Sequence, residues 1–249
     1  MHWRVISLEV HDAFTNMALD EVAGESVAKN VSIPTIRFYT WNPSAVSIGC
    51  FQSIEDEIDL VACSQFNVDS VRRRTGGGAV YHDTRGEITY SVIAPQDCFP
   101  KNIIESYQVI CGWIIDSMKL LGLDAQFIPI NDIIINGKKF SGNAQTRRNG
   151  ILLQHGTILY DVDVKKMFSL LKVPTEKIRD KMIAAVEERV TSIKKEDRTL
   201  TRDAVYEALV KGFTTGKEWE FGSWTAEELS RAKALAETRY KKKEWNFSR

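Results

Sequence analysis

The alternation of apolar and polar positions predicts strands over the first two-thirds of the chain. Glu87 to Ile93 alternates with a period of two, which is typical of a strand with one buried face. Asn136-Gly137 lies between two apolar runs and predicts a hairpin, because both central residues of a type I′ turn need positive φ. The predicted strands cover residues 35–41, 45–49, 68–73, 79–81, 87–93, 127–130, 133–135, 138–140 and 151–160.

Helical periodicity appears early, once in the middle and then throughout the last third. Leu19, Val22 and Ala23 lie on a predicted amphipathic helix, and another helix follows Pro100 and stops at Gly122. Further helices are predicted at residues 165–171, 175–185, 201–212 and 225–243. Strands gathered first and helices gathered later indicate an α+β fold. We expect a catalytic domain at residues 1–195 and a helical C-terminal extension of that domain at 196–249.

Composition and charge exclude several classes of protein. The chain has 249 residues, of which 43% are hydrophobic, and 33 Lys and Arg balance 33 Asp and Glu. Zero net charge gives no bulk attraction to nucleic acid or to a membrane surface. No apolar run is long enough to cross a bilayer, and four cysteines without paired spacing are typical of a reducing compartment. These features predict a cytoplasmic enzyme.

The segment from Arg72 to Asp83 reads Arg-Arg-Arg-Thr-Gly-Gly-Gly-Ala-Val-Tyr-His-Asp. Consecutive glycines let the backbone pass close to a ligand, and their N–H groups can form an anion-binding nest. Arginine beside them adds charge-assisted hydrogen bonds to carboxylate or phosphate. A site for an acidic or adenylated small molecule is one interpretation, and a flexible hairpin with solvated arginines is the other.

A second motif runs from Asn131-Asp132 through the hairpin to Gln145. Side chains alternate across a strand, so a buried Phe140 would place Lys139 and Ser141 together on the opposite face. A lysine between a glycine-rich loop and a carboxylate can bridge a carbonyl oxygen and a phosphate oxygen. A solvated strand end explains an isolated lysine equally well.

Taken together, these motifs resemble the lipoate–protein ligases, within the superfamily of biotin ligases and lipoyl or octanoyl transferases. The resemblance rests on segments that occur in family order at residues 16–21, 73–83, 131–132, 137–142 and 155–157. It implies a biotin/lipoate ligase-like α+β fold, with mixed or antiparallel sheets flanked by helices. It also implies that lipoate, ATP and Mg²⁺ give lipoyl-AMP, whose acyl group passes to a lysine of an acceptor lipoyl domain. Such acceptors include the E2 subunits of 2-oxoacid dehydrogenases and the glycine cleavage H protein.

The resemblance assigns roles to individual residues. Lys139 matches the catalytic lysine that contacts both the acyl carbonyl and the phosphate, and Lys138 is its solvent-facing neighbour. Asp132 is the candidate Mg²⁺ ligand. The expected lipoyl-AMP-binding residues are Arg74, Gly76, Gly77, Gly78, His82, Asn131, Asp132, Ser141, Gly142, Gln145, His155 and Gly156.

Cysteine content separates the ligases from their sister families. The related acyltransferases form a covalent thioester, which needs a nucleophilic cysteine. Cys50, Cys63, Cys98 and Cys111 all lie outside residues 131–157. This absence favours an ATP-dependent ligase over a lipoyl or octanoyl transferase that uses no ATP, with Cys50 as the thiol to test.

Three further expectations follow from the resemblance. The chain is expected to be too short for the separate accessory domain that some ligases carry, so a small accessory subunit is expected to act in trans. A biotin ligase is a remote alternative, because its glycine-rich signature differs. A non-enzymatic nucleic-acid-binding module would use the arginines at 72–74 and 147–148, but five arginines in a chain of zero net charge do not form a basic stripe.

Overall fold

The computed structural model describes residues 1–173 and 175–249. Its strands are β1 (His2–His11), β2 (Thr35–Trp41), β3 (Ala45–Ile48), β4 (Asp69–Arg72), β5 (Val80–His82), β6 (Glu87–Pro95), β7 (Ala125–Ile128), β8 (Asp132–Ile135), β9 (Lys138–Arg148), β10 (Ile151–Leu159) and β11 (Glu218–Gly222). Its α-helices are α1 (Ala13–Ala28), α2 (Ile54–Glu57), α3 (Leu60–Gln65), α4 (Ile103–Leu120), α5 (Val164–Leu170), α6 (Glu176–Arg189), α7 (Ile193–Glu196), α8 (Arg202–Thr214), α9 (Ala226–Leu235) and α10 (Lys243–Asn246).

Local sequence signals explain several of these boundaries. The Asp12 side chain accepts a hydrogen bond from the Thr15 backbone N–H and begins α1. Asn102 caps α4 in the same way. Asn136 and Gly137 both have positive φ, at 51° and 77°, and join β8 to β9 in the predicted hairpin.

The strands form two mixed sheets. The large sheet has the order β11-β1-β2-β6-β10-β9-β8-β7, with β1 parallel to both β11 and β2 and the other neighbours antiparallel. The small sheet has the order β4-β3-β5. Helices cover both faces of the large sheet, so the predicted α+β class with mixed sheets flanked by helices is confirmed.

The two faces of the large sheet pack against different helices. One face carries Phe38 and Tyr90, which pack with α4 and α8 in the main hydrophobic core. The other face carries Tyr39 and Trp41, which share a second core with α1 and α9. Because side chains alternate along β2 and β6, a single strand supplies both cores. No helix in the described part of the chain is long and apolar enough to span a membrane.

The last third of the chain is not entirely helical, and that prediction is wrong at one element. Residues 218–222 form β11, a parallel edge strand beside β1. Trp219 and Phe221 do alternate with glutamates in this segment, so the period of two was present in the sequence. The predicted helix at 225–243 also ends earlier, because α9 passes into a π-helical turn at Ala236–Tyr240.

Candidate active site

A cavity of about 340 Å³ lies between one face of the large sheet and the glycine-rich segment of the small sheet. Tyr39, Thr89, Thr157 and Gly142 are paired across β2, β6, β10 and β9, and they form one row across the sheet. Paired residues in an antiparallel ladder point their side chains to the same face. This row is therefore the floor of the cavity, and Met17 of α1 also lines it.

Lys139 lies at the β8–β9 end of this row. Its Nζ atom is 2.7 Å from Oδ1 of Asp132, and its side chain is 41% exposed. The ammonium group lies over Gly142, where an added Cβ would come within 3.0 Å of Nζ. Glycine at 142 therefore makes room for the lysine. Lys138, in contrast, is exposed and does not line the cavity.

A β-bulge changes the expected facing of the residues after Lys139. Ile134 pairs with Lys139 and Ile133 pairs with Ser141, so Phe140 is an extra residue in β9. Lys139 faces the cavity, whereas Phe140 and Ser141 are both fully buried on the core side. The expectation that Lys139 and Ser141 share a face fails because strict alternation stops at a bulge.

The structure also keeps Gln145 away from the cavity. Gln145 accepts a hydrogen bond from Ser106 of α4 and donates one to Gln154, so it belongs to the α4 side of the sheet. Ser141 and Gln145 are thus not brought together with Lys139. Asn131 does line the cavity, and it is held in place by reciprocal side-chain-to-backbone hydrogen bonds with Asn143.

Arg73, the middle arginine of the triple-arginine run, forms all its hydrogen bonds within the protein. Nε of Arg73 donates to Thr75 Oγ1, one terminal nitrogen donates to the Ser47 carbonyl and hydroxyl, and the other donates to the Gly76 and Gly78 carbonyls. Burial lowers the pKa of Arg73 to about 10. Each of its nitrogens is occupied within the protein, so its role is to shape the glycine loop.

Arg74 and Arg72 are also engaged inside the protein. Arg74 forms an ion pair with Glu21 of α1 and does not line the cavity. Arg72 donates to the backbone oxygens of Trp245 and Asn246, and its own N–H donates to Asn246 Oδ1. The run therefore fastens the glycine loop to α1 and to the C-terminal segment, and Arg74 is not brought to the cavity wall.

The glycine loop contributes Gly77 and Gly78 to the cavity, whereas Gly76 packs against the Phe51 ring. Gly77 has φ of +97°, a conformation that side chains rarely adopt. A Cβ at Gly49 would lie 2.1 Å from the Gly77 carbonyl oxygen. Close packing between β3 and the loop thus requires glycine at both positions.

His82 lies in a hydrogen-bond network at the β2 end of the cavity. Its Nδ1 is 2.7 Å from Glu87 Oε1, its Nε2 is 2.8 Å from Ser47 Oγ, and its ring stacks on Trp41 at 4.0 Å between centroids. Thr89 donates to the same Glu87 oxygen. Both ring nitrogens of His82 are occupied within the protein, so the histidine forms part of the wall.

His155 lines the cavity and belongs to a second buried hydrogen-bond network. Its Nδ1 is 3.2 Å from Asp20 Oδ2, and its Nε2 is 2.7 Å from Thr75 Oγ1. Burial lowers the pKa of His155, more than the Asp20 carboxylate raises it. Burial also acts to raise the pKa of Asp20, but hydrogen bonding to His155 and the charge of Arg37 hold that pKa below its usual value. Neutral His155 with ionised Asp20 fixes the ring orientation.

Several cavity residues were missed in the sequence. Tyr39, Ser47 and Asn143 line the cavity, and Asp20 and Thr75 support it from behind. Asp20 and Thr75 lie within the segments that carry the family resemblance, but their partners are distant along the chain. Asp20 is a charged residue on the otherwise apolar side of α1, and this position was the available sequence signal for its role.

None of the four cysteines is among the described residues that line the cavity. Cys63 and Cys111 are buried in hydrophobic cores, and Cys98 is exposed near Met1. Cys50 is partly buried beside the glycine loop, where its N–H donates to the Thr75 carbonyl oxygen at 2.9 Å. Within the described residues, no group of three or more His, Cys, Asp or Glu side chains could hold a metal ion.

Comparisons with known proteins identify the family of this chain. The family model of the lipoyl protein ligase A/B catalytic domain matches residues 12–214. The chain belongs to this family. Octanoyltransferase LipM of Geobacillus kaustophilus is 37% identical over 99% of this chain and 98% of its own length, and LipM of Bacillus subtilis is 36% identical over the same shares.

Solved structures of the same family share the fold. The bi-partite lipoate protein ligase of Thermoplasma acidophilum has a TM-score of 0.88 and 33% identity, over 99% of this chain and 96% of that chain. A lipoate-protein ligase A bound with ATP has a TM-score of 0.84 and 30% identity, over 99% of both chains. The predicted lipoate-ligase-like fold is therefore confirmed.

The prediction of an ATP-dependent ligase is wrong, and so are ATP and Mg²⁺ as its cofactors. The curated relatives, which match over nearly their whole length, are octanoyltransferases, and these acyltransferases use no ATP. In this structure Arg73 and Arg74 are engaged within the protein, and Asp132 is paired with Lys139. The cysteine criterion gives the same result in space as along the sequence, because no cysteine is among the described residues that line the cavity, so it did not separate the transferases from the ligases. No accessory subunit is shown for these relatives.

Proposed function

We propose that this chain is an acyltransferase that moves an octanoyl-type group from an acyl thioester to the lysine of a lipoyl domain, without ATP. The observation that carries the proposal is a cavity with a mainly apolar lining and a half-exposed cation, Lys139, at one end. Such a cavity suits an unbranched acyl chain with its reactive carbonyl at the charged end. The octanoyltransferase relatives supply the chemical class of the reaction.

Acyl transfer from a thioester to an amine needs no nucleotide, because the thioester is already activated. The acceptor amine attacks the carbonyl carbon, and the carbonyl oxygen becomes an oxyanion in the tetrahedral intermediate. The Lys139 ammonium stabilises that oxyanion, since a positioned cation binds the developing charge more strongly than the neutral carbonyl. The C–S bond then breaks, the amide remains on the acceptor, and the departing thiolate takes up the proton released by the amine.

The supporting groups have positioning roles in this scheme. Asp132 holds the lysine side chain over Gly142, and Gly142 leaves room for it. The loop at Gly77 and Gly78 closes the cavity from the opposite side. A lipoyl domain is the expected acceptor, because relatives of this family act in lipoylation. The proposal includes no accessory subunit.

The test offers the purified chain two alternative acyl sources. One reaction contains an octanoyl thioester of the phosphopantetheine type and an apo lipoyl domain, without nucleotide. The other contains free octanoate, ATP and Mg²⁺ with the same acceptor. Intact-mass spectrometry of the acceptor is expected to show octanoylation only from the thioester, and none when the acceptor lysine is replaced by arginine. Octanoylation that requires ATP, with release of AMP, would overturn the proposal.

A further inference from the structure

Ser47, His82 and Glu87 form a buried hydrogen-bonded series at the β2 end of the cavity. Oγ of Ser47 is 2.8 Å from Nε2 of His82, and Nδ1 of His82 is 2.7 Å from Oε1 of Glu87. Ser47 and His82 line the cavity, whereas Glu87 is not among the lining residues. A hydroxyl, an imidazole and a carboxylate in this order are the nucleophile, the base and the orienting group of hydrolases with unrelated folds.

The register of the small sheet brings the serine and the histidine together. Strands β3 and β5 are antiparallel, and Ala45 pairs with His82. Ser47, two residues along β3, pairs with Val80. Because side chains alternate along a strand and paired residues point to the same face, Ser47 and His82 are diagonal neighbours on one face. Glu87, the first residue of β6, reaches the other nitrogen of the ring.

The hydrogen bonds also determine where the protons lie in this series. Nη1 of Arg73 donates to Ser47 Oγ at 3.1 Å, so the serine directs its own hydrogen to Nε2 of His82. With Nε2 as an acceptor, the neutral ring carries its hydrogen on Nδ1 and donates it to Glu87. Thr89 donates to the same Glu87 oxygen. His82 therefore has the tautomer that can accept the serine proton, and the carboxylate fixes its orientation.

The surroundings favour attack by this serine on a carbonyl carbon. The buried guanidinium of Arg73 lies beside Ser47 Oγ, and its charge stabilises the negative charge that develops on Oγ and on the oxyanion next to it. The Trp41 indole stacks on the His82 ring and covers one of its faces. The rest of the cavity has a mainly apolar lining, which suits an uncharged acyl group.

We propose that Ser47, His82 and Glu87 hydrolyse carboxylic esters and thioesters with short, unbranched acyl groups. Ser47 Oγ attacks the carbonyl carbon, and Nε2 of His82 takes the hydroxyl proton. The C–O or C–S bond breaks, the leaving group receives that proton, and the acyl group stays on Ser47 as an ester. A water molecule then loses a proton to Nε2, attacks the acyl-serine and releases the acid, and Oγ recovers the proton. This activity goes beyond the proposed transfer, which uses Lys139 and a lysine acceptor.

The first test treats the wild-type chain with a fluorophosphonate, which phosphonylates activated serines and releases fluoride. Intact-mass spectrometry followed by peptide mapping should find a single adduct, on Ser47. A sample unfolded in urea before the reagent is added should carry none there, because the unfolded chain does not hold His82 beside the hydroxyl. A folded wild-type chain without an adduct on Ser47 would overturn the inference.

The second test measures hydrolysis of p-nitrophenyl butyrate by variants of the series. Ser47→Ala and His82→Gln should each lower kcat/KM roughly 100-fold or more, as expected for the loss of a nucleophile or a general base. Glu87→Gln should lower kcat with little change in KM, because it disturbs the base rather than ester binding. Ser70→Ala is the matched control and should match the wild type, since Ser70 lies on β4 of the same sheet and does not line the cavity. Wild-type hydrolysis by Ser47→Ala or His82→Gln would overturn the inference.

Loss of folding would not leave the question open. Ser47→Ala removes a partner of both Arg73 and His82, so urea unfolding is measured on each variant. Ser47→Cys keeps a nucleophile of similar size and should be alkylated by iodoacetamide at position 47, and absence of alkylation there in the folded variant would count against the series. If every variant unfolds, the wild-type adduct decides the matter alone. Neither test contains a lipoyl domain or an octanoyl donor, so both results are independent of whether acyl transfer is found.

Discussion

Replacing Lys139 by methionine should slow acyl transfer strongly while leaving the fold intact. Two unit charges about 4 Å apart interact by about 1 kcal/mol in water and about 4 kcal/mol at an effective dielectric constant of 20. The Lys139 side chain is 41% exposed, so its interaction with the oxyanion lies between these limits. Loss of the ammonium should therefore reduce kcat/KM by roughly 5- to 1000-fold.

The pairing of Lys139 with Asp132 predicts little effect on stability. A half-exposed ion pair contributes about 0 to 1 kcal/mol to the free energy of unfolding, so Lys139→Met should remain folded. Lys138→Met is the matched control, because it removes the same charge from the neighbouring exposed position. Asp132→Asn should slow transfer less than Lys139→Met, since it loosens the lysine without removing its charge.

The assay monitors single-turnover octanoyl transfer to an apo lipoyl domain through the mass of the acceptor. Urea unfolding is measured on each variant as well. A Lys139→Met enzyme within threefold of the wild-type rate would refute the assigned role. An equal loss in Lys138→Met would refute it as well, because the effect would then reflect charge near the hairpin rather than an ammonium at the cavity.

Three further predictions follow from the buried contacts. Asn246→Ala should lower the free energy of unfolding by about 1 to 3 kcal/mol, because the Arg72 backbone N–H loses its buried acceptor. Ser248 is exposed, so the control variant Ser248→Ala should show no change in urea titration. His155 has a folded-state pKa below its unfolded value near 6.5, lowered by burial and then by Arg73 and His82, so the unfolded chain binds the proton first. Its contribution to stability should be complete above about pH 6.5 and be lost as pH falls, and a His155→Gln variant with the wild-type pH slope would count against this. Cys50→Ser should retain transfer activity, whereas an octanoyl adduct on Cys50, found by peptide mass mapping of the reacted chain, would show a covalent route instead.

Local signals predicted the parts of the fold and site that depend on near neighbours. Asn136-Gly137 forms the hairpin, Gly122 follows the end of α4 with positive φ, and the glycine loop faces the cavity. Lys139 reaches the cavity because the hairpin returns it beside Asp132, four residues before the turn. These features depend on turn chemistry and alternation, which the sequence encodes within a few residues.

The remaining features depend on partners that are distant along the chain. The bulge at Phe140 is set by how β8 and β9 pack on the core, and no residue type at that position signals it. Arg72 binds Asn246, 174 residues away, and the pairing of Asp20 with His155 spans 135 residues. A basic run next to glycines has the same sequence pattern whether its guanidinium groups face a ligand or backbone carbonyls. Only the tertiary structure distinguishes the two.

The positions of the four cysteines bear on the route of acyl transfer. A covalent transferase needs a thiol near the carbonyl in space, and Cys50 on the loop after β3 is nearer to the glycine segment than its number suggests. The cavity itself is lined by no cysteine among the described residues. The octanoyltransferase relatives align over 275 positions, more than the 249 residues of this chain, so they carry residues that have no counterpart here. Direct attack by the acceptor amine, with Lys139 stabilising the oxyanion, is therefore the route that the groups lining this cavity can support.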